Sequence, residues 1–104
     1  MYYFAGGANG AGMRDDIIRN KQIFRLLESI SDGVAASHHK YVGELRESLS
    51  LVAGFQGTDE LTLAVKKVFE LSGPWAWRVP PTNEGSGEII EAVEDAISLL
   101  NNET

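Results

Sequence analysis

The chain has 104 residues, 43% of them hydrophobic and 23% charged, with a formal net charge of −6 and no cysteine. That length accommodates one domain and not two, and the proportions are those of a folded chain rather than a disordered one. The missing cysteine excludes a disulfide scaffold, a cysteine nucleophile and a thiolate metal site, and the negative charge argues against direct binding to a nucleic-acid backbone.

The first residues, MYYFA, bring together Tyr2, Tyr3 and Phe4, either a short strand or an apolar plug. GGANGAG follows, and its glycines predict a loop, so that residues 1–14 read as a flexible or loosely packed segment. From Asp15 the pattern turns helical. Ile17, Ile18, Ile23, Phe24, Leu27 and Ile30 fall near a 3.6-residue period, and Asp15 and Asp16 suit the positive end of a helix dipole. Gly33 supplies a stop signal, giving a first helix over 15–31.

A second helix is predicted over 34–53, with Val34, His38, Tyr41, Leu45, Leu49 and Val52 on its apolar face. Gly43 inside it costs about 1 kcal/mol relative to alanine and would let another helix approach closely. After Gly54-Phe55-Gln56-Gly57, Thr58 is the expected N-cap of a third helix over 59–72, which carries Leu61, Ala64, Val65, Val68 and Leu71. Gly73-Pro74 should end it, and WAWRVPP should be extended, because residues before proline avoid the helical region. As a strand, that segment would hold Trp75, Trp77 and Val79 on one face. Ser86 is the expected cap of a fourth helix over 87–101, with Ile89, Ile90, Val93, Ala96, Ile97 and Leu100 inward. The expected fold is therefore all-α: one small bundle of about four helices, with a glycine-rich N-terminal segment and an extended Trp/Pro segment before the last helix.

Catalytic signals are incomplete. Gly7 to Arg14 resembles a phosphate loop of the form GxxxxGK[ST], but Met13 stands where the lysine belongs and Arg14 where the hydroxyl belongs. Asp15 and Asp16 would also repel an anion at the helix end that should attract it. His38 and His39 are adjacent, so on a helix they diverge by about 100° and cannot easily share an ion. His38 is expected at the core edge and His39 on its solvated flank. No GxSxG elbow accompanies the scattered serines. The expectation is no enzyme, no cofactor and no metal.

Charge and aromatics mark the candidate surface. Residues 1–78 hold nine basic and nine acidic side chains, whereas 79–104 hold Glu84, Glu88, Glu91, Glu94, Asp95 and Glu103 and no basic one. The whole net charge thus belongs to the C-terminal quarter. The polar face of the fourth helix carries Glu88, Glu91, Glu94 and Asp95, either as a solvated face or as a stripe that steers toward a basic partner. Trp75 and Trp77 stand beside Arg78 and two prolines, either stapling the loop to the core or forming an exposed anchor of the residue types enriched at binding hot spots.

The leading expectation is a non-catalytic acidic module that blocks a basic surface on a protein or nucleoprotein partner, as inhibitors, immunity proteins and phage anti-defence proteins do. Its expected partner-binding residues are Trp75, Trp77, Arg78, Glu88, Glu91, Glu94 and Asp95. One alternative is a homo-oligomer that binds a small ligand in a pocket lined by the aromatic N-terminus, Gly43, the tryptophans and Arg14, Arg19 or Arg25. The other is an assembly subunit of a virus particle. No apolar run approaches the roughly 18 residues that span a membrane, and MYYFAGG lacks the features of a signal peptide. The expected location is the cytoplasm.

Overall fold

A computed structural model describes the backbone of residues 5–103 and the side chains of residues 16–102. The Tyr2–Phe4 cluster lies outside the described residues. Four helices follow one another: α1 Ala5–Ala35, α2 His39–Ala53, α3 Glu60–Trp77 and α4 Ser86–Glu103. Each packs on its neighbours in sequence, and α4 returns to α1, while the backbones of the diagonal pairs α1/α3 and α2/α4 do not approach closely. The result is a square up-and-down bundle, the arrangement that short connections impose. Among the described residues there is no strand.

The helix α1 begins ten residues before Asp15, at Ala5, and so takes in the glycine stretch expected to be a loop. Extending a formed helix adds a hydrogen bond for each residue fixed, and no proline interrupts residues 5–15. At 31 residues α1 is about 46 Å long. The 15 residues of α2 reach only about 22 Å, so α1 overhangs the bundle, which measures 56 × 22 × 21 Å. Ile17 and Ile18, expected in the core, stand at that overhanging end and are half exposed.

Gly33 does not stop α1 either. The chain turns two residues beyond the helix end, where Ser37 takes φ 60°. His38 N–H donates to the Gly33 carbonyl at 2.9 Å and Ser37 N–H to that of Val34 at 3.1 Å. This pair of bonds is a Schellman cap, built on a serine.

The core is drawn from all four helices: Ile23, Leu27, Ile30 and Val34 of α1, Val42 and Leu49 of α2, Val65, Val68, Trp75 and Ala76 of α3, and Ile89, Ala92, Val93, Ala96 and Leu100 of α4. In α2 the buried face is turned by one position from the expected stripe. Val42 is buried while Tyr41 is 47% exposed, and Leu45 and Val52 are half-buried. The stripe was obscured because Gly43 and Arg46, neither of them apolar, occupy its α3-facing side.

The cap of α3 is Asp59 rather than Thr58. Its carboxylate accepts from the Thr62 hydroxyl at 2.7 Å and from the Thr62 N–H at 3.1 Å. The Thr62 hydroxyl bond, then the backbone bond, hold the Asp59 carboxyl below its ordinary value. Likewise α4 starts at Ser86 itself, behind Gly85, whose carbonyl accepts from Ile89 N–H at 3.2 Å.

The largest departure is at Gly73-Pro74. The helix α3 does not end there but runs on to Trp77. Proline removes one backbone donor and crowds the preceding turn. The carbonyl that loses its donor is that of Glu70; side chains donate to the two carbonyls just before it. Ser72 Oγ, fully buried, donates to the Val68 carbonyl at 2.7 Å and to the Phe69 carbonyl at 3.1 Å. Arg46 of α2 reaches across and donates Nε and Nη2 to the same Phe69 carbonyl at 3.1 and 2.8 Å. Its guanidinium lies 3.8 Å above the Phe69 ring. A side chain at Gly73 would occupy that space, since its Cβ would sit 2.8 Å from Arg46 Nη2. The glycine read as a stop is the notch that admits the arginine. Burial lowers the Arg46 pKa and neighbouring Glu47, 3.2 Å away, partly offsets it, but a guanidinium remains charged.

Two stability predictions follow from this packing. Leu49→Ala should cost about 2–5 kcal/mol as a fully buried site, while Tyr41→Ala should cost far less. Thermal melts compare them directly, and equal losses would return Tyr41 to the core. Arg46→Lys keeps the charge but not the fork that fits one carbonyl and one ring, so it should destabilise by about 1–3 kcal/mol. A lysine variant as stable as the parent would show that charge alone holds the α2–α3 seam.

Candidate interaction surface

About two turns of α4 are apolar inward and acidic outward. Opposite Ile89, Ala92, Val93, Ala96 and Leu100 stand Glu88, Glu91, Glu94 and Asp95, all exposed. Their spacings of three and four place successive carboxylates about 5–6 Å apart at Cβ. The ion pairs among the described residues are Arg19–Asp16, Arg46–Glu47 and Arg78–Glu84, at 3.6, 3.2 and 4.0 Å. None of the four α4 carboxylates takes part in an ion pair or hydrogen bond among the described residues. Glu88 lies in the first turn, where the helix dipole favours it. The other three repel one another and form no ion pair among the described residues.

The tryptophans part company because α3 is helical where an extended segment was expected. In a strand, residues two apart share a face; in a helix they diverge by about 200°. Trp75 accordingly turns inward and is 2% exposed, with no hydrogen-bond partner for its buried Nε1 among the described residues. It stacks on His39 of α2, ring centroids 3.9 Å apart and planes 14° from parallel. Trp75 is thus a core residue and is withdrawn from the partner-binding set. Trp77 remains 54% exposed and lies flat against α2 at Gly43, where an added Cβ would stand 2.4 Å from the ring. The close approach expected at Gly43 is made by this indole.

Arg78 ends α3 and is exposed. Its Nη1 donates to Thr82 Oγ1 at 3.3 Å and approaches the Glu84 carboxylate at 4.0 Å. A cleft of about 250 Å³ between the end of α3 and the start of α4 is lined by Pro74, Arg78, Glu84 and Glu88. The fold therefore joins Arg78 to the acidic helix. Trp77 is not joined to it, because it packs on α2, the helix diagonal to α4.

The residues expected to line a small-ligand pocket are likewise dispersed. Arg19 borders an open cleft between α1 and the α2–α3 connection, Arg25 borders grooves between α1 and α4, and Gly43 is covered by Trp77. The side chain of Arg14 lies outside the described residues. Among the described residues no three histidine or carboxylate side chains converge as metal ligands would.

Two residues that organise this end of the molecule were missed in the sequence. His38 is exposed and His39 half-buried, the reverse of the expectation, because α2 starts at His39 and turns that ring onto Trp75. His39, Gly43 and Arg46, spaced four and three apart, share the face of α2 that meets α3. That period was the available signal, carried by residues that are not apolar.

Gly43→Ala should push the Trp77 ring outward, seen as a red shift of tryptophan emission, with little change in melting temperature because alanine favours the helix by about 1 kcal/mol. An unmoved emission maximum would place the ring elsewhere. Comparison with protein families, with curated proteins and with solved structures gives no match for this chain.

Proposed function

We propose that this chain is a non-catalytic interaction module whose α4 docks against the basic surface of a larger protein or nucleoprotein and occludes it. The observation that carries the reading is the set of four exposed, unpaired carboxylates on one helix, Glu88, Glu91, Glu94 and Asp95, in a chain whose whole net charge lies in residues 79–104. Exposed charges of one sign accelerate encounter with an oppositely charged surface and discriminate against like-charged ones, even where each pair adds little affinity. Glu84 and the Arg78 cleft extend that surface toward the end of α3. Trp77 offers a separate apolar anchor of the type that slows dissociation. No helix among the described residues is long and apolar enough to cross a membrane. The partner is accordingly proposed to be protein or nucleoprotein, met in the cytoplasm, rather than lipid or bare nucleic acid.

A second reading, a homo-oligomer, is favoured by the half-exposed Ile17 and Ile18 on the α1 overhang. Sedimentation distinguishes it: a monomer supports the docking module and a closed oligomer the alternative.

The test of the first reading starts with affinity capture from the native host and continues with binding rates at two salt concentrations. The double reversal Glu91→Lys and Asp95→Lys should leave the fold intact, since both positions are exposed and residue 91 then faces Glu88 and Glu94 at i, i+3 with the opposite charge. Association should slow, and the wild-type complex should weaken with salt. Trp77→Ala should instead hasten dissociation with little salt dependence. Unchanged association of the reversed variant at low salt would reduce the acidic face to a solvated surface.

A further inference from the structure

His39 is the residue through which the two connections at one end of the bundle meet. Its Nδ1 lies 3.0 Å from the carbonyl oxygen of Ser37, in the α1–α2 connection. Its Nε2 lies 2.9 Å from the carbonyl oxygen of Thr82, in the α3–α4 connection. A carbonyl oxygen accepts hydrogen bonds and cannot donate them. A neutral imidazole carries one N–H and one lone pair, so it can satisfy one of these carbonyls while turning a lone pair on the other. An imidazolium carries two N–H groups and satisfies both. The same ring lies parallel to the Trp75 indole at 3.9 Å, and an indole face attracts a cation. Three independent neighbours, two carbonyls and one aromatic face, therefore suit the charged ring.

We propose that His39 is a proton-operated latch. With the ring protonated, it ties the α1–α2 and α3–α4 connections together; on losing that proton it must let one of the two carbonyls go. The inference goes beyond the docking function and does not rest on it.

The charged or titratable side chains on the elements packed here are Asp32 of α1, His38 in the connection, Lys40 and Tyr41 of α2, Arg78 at the end of α3 and Glu84 beyond it. None forms an ion pair with the ring, and Arg78 is engaged with Thr82 and Glu84. Glu70 and Glu88 line the cleft that Trp75 also borders. The acceptors that face the ring nitrogens are thus the backbone carbonyls. A second tie between the same connections, Ser37 Oγ to Asn83 Oδ1 at 2.8 Å, has no titratable partner and persists in both states. The Ser37 carbonyl is held beside the ring by the adjacent chain, so the partner let go is the Thr82 carbonyl, and release loosens the α3–α4 connection without opening the bundle.

The sign is set by the chemistry. The protonated ring gains two partners in the fold, so the latch holds while the ring carries its second proton and is released when that proton leaves. The connection it releases leads straight into Gly85 and the first turn of α4.

The test uses the whole chain. Long-range nitrogen–proton NMR of the His39 ring should find a proton on both nitrogens at about pH 5.5 and on one at about pH 8. The hydrogen-exchange protection of the Ser86 amide, which donates to the Asn83 carbonyl at 3.0 Å, should fall across that interval once the intrinsic pH dependence of exchange is removed. The expected fall is about tenfold, the equilibrium worth of one charge-assisted hydrogen bond at the low end of its range. His39→Gln should abolish the pH dependence, and His38→Gln, an exposed position, should leave it unchanged. A single protonated ring nitrogen at pH 5.5, or flat protection in the wild-type chain, overturns the proposal. So does an undiminished pH dependence in His39→Gln, and the wild-type ring spectrum decides the matter if that variant fails to fold.

Discussion

The helical course of α3 through Pro74 to Trp77 is the constraint on which the far end of this bundle depends. Proline at position 74 would ordinarily end α3. The helix nevertheless carries on to Trp77, with Arg46 and Ser72 donating to the Phe69 and Val68 carbonyls of the turn before the proline. Everything distal follows from those extra residues. Helical geometry turns Trp75 into the core and onto His39, lays Trp77 against Gly43, and delivers Arg78 to the mouth of the cleft beside α4. A helix ended at Ser72 would place none of these groups where they are.

The four seams of the square are chemically unequal. Where α4 meets α1, both helices bury apolar side chains, Ile89, Val93 and Leu100 on α4 and Ile23, Leu27 and Ile30 on α1. The α2–α3 seam is instead made of a histidine on an indole, an indole on a glycine, and a guanidinium on a carbonyl and a phenyl ring. Such contacts are directional, whereas apolar burial is not. Leucine-lined helices can slide or rotate against one another at small cost. A fork seated in a glycine notch has one register. The polar seam therefore specifies how α2 and α3 align, and the apolar seams supply the bulk of the burial.

How much of this was legible in the chain depends on what each position contributes. Helix number, the break at Gly54 and the inward face of α4 were readable, because repeated apolar residues at helical spacing have one low-energy arrangement. The acidic face of α4 was readable for the same reason, as the complement of its core. The course of residues 73–77 was not, because the local rule about proline is a tendency that tertiary packing can override, and local patterns carry no record of distant partners such as Arg46. Trp75 went astray with it, since its placement depends on whether the backbone there has a period of two or of 3.6. The one-residue error in the face of α2 has a related origin: Gly43 and Arg46 are core-facing for reasons of fit, not hydrophobicity.

The square arrangement, in which only neighbouring helices bring their backbones close, also shapes how the chain finds its fold. Three of the four seams join helices that are consecutive in sequence, separated by connections of three, six and eight residues. Each can form from a local encounter, with little chain to immobilise first. Only the seam between α1 and α4 closes the full length of the chain, and the entropy cost of such closure grows just logarithmically with loop length. By the time α4 reaches α1, the intervening helices have already shortened the distance it must search. The topology is thus one of low contact order, and the chain belongs among those that fold rapidly and leave partly assembled, aggregation-prone states briefly populated.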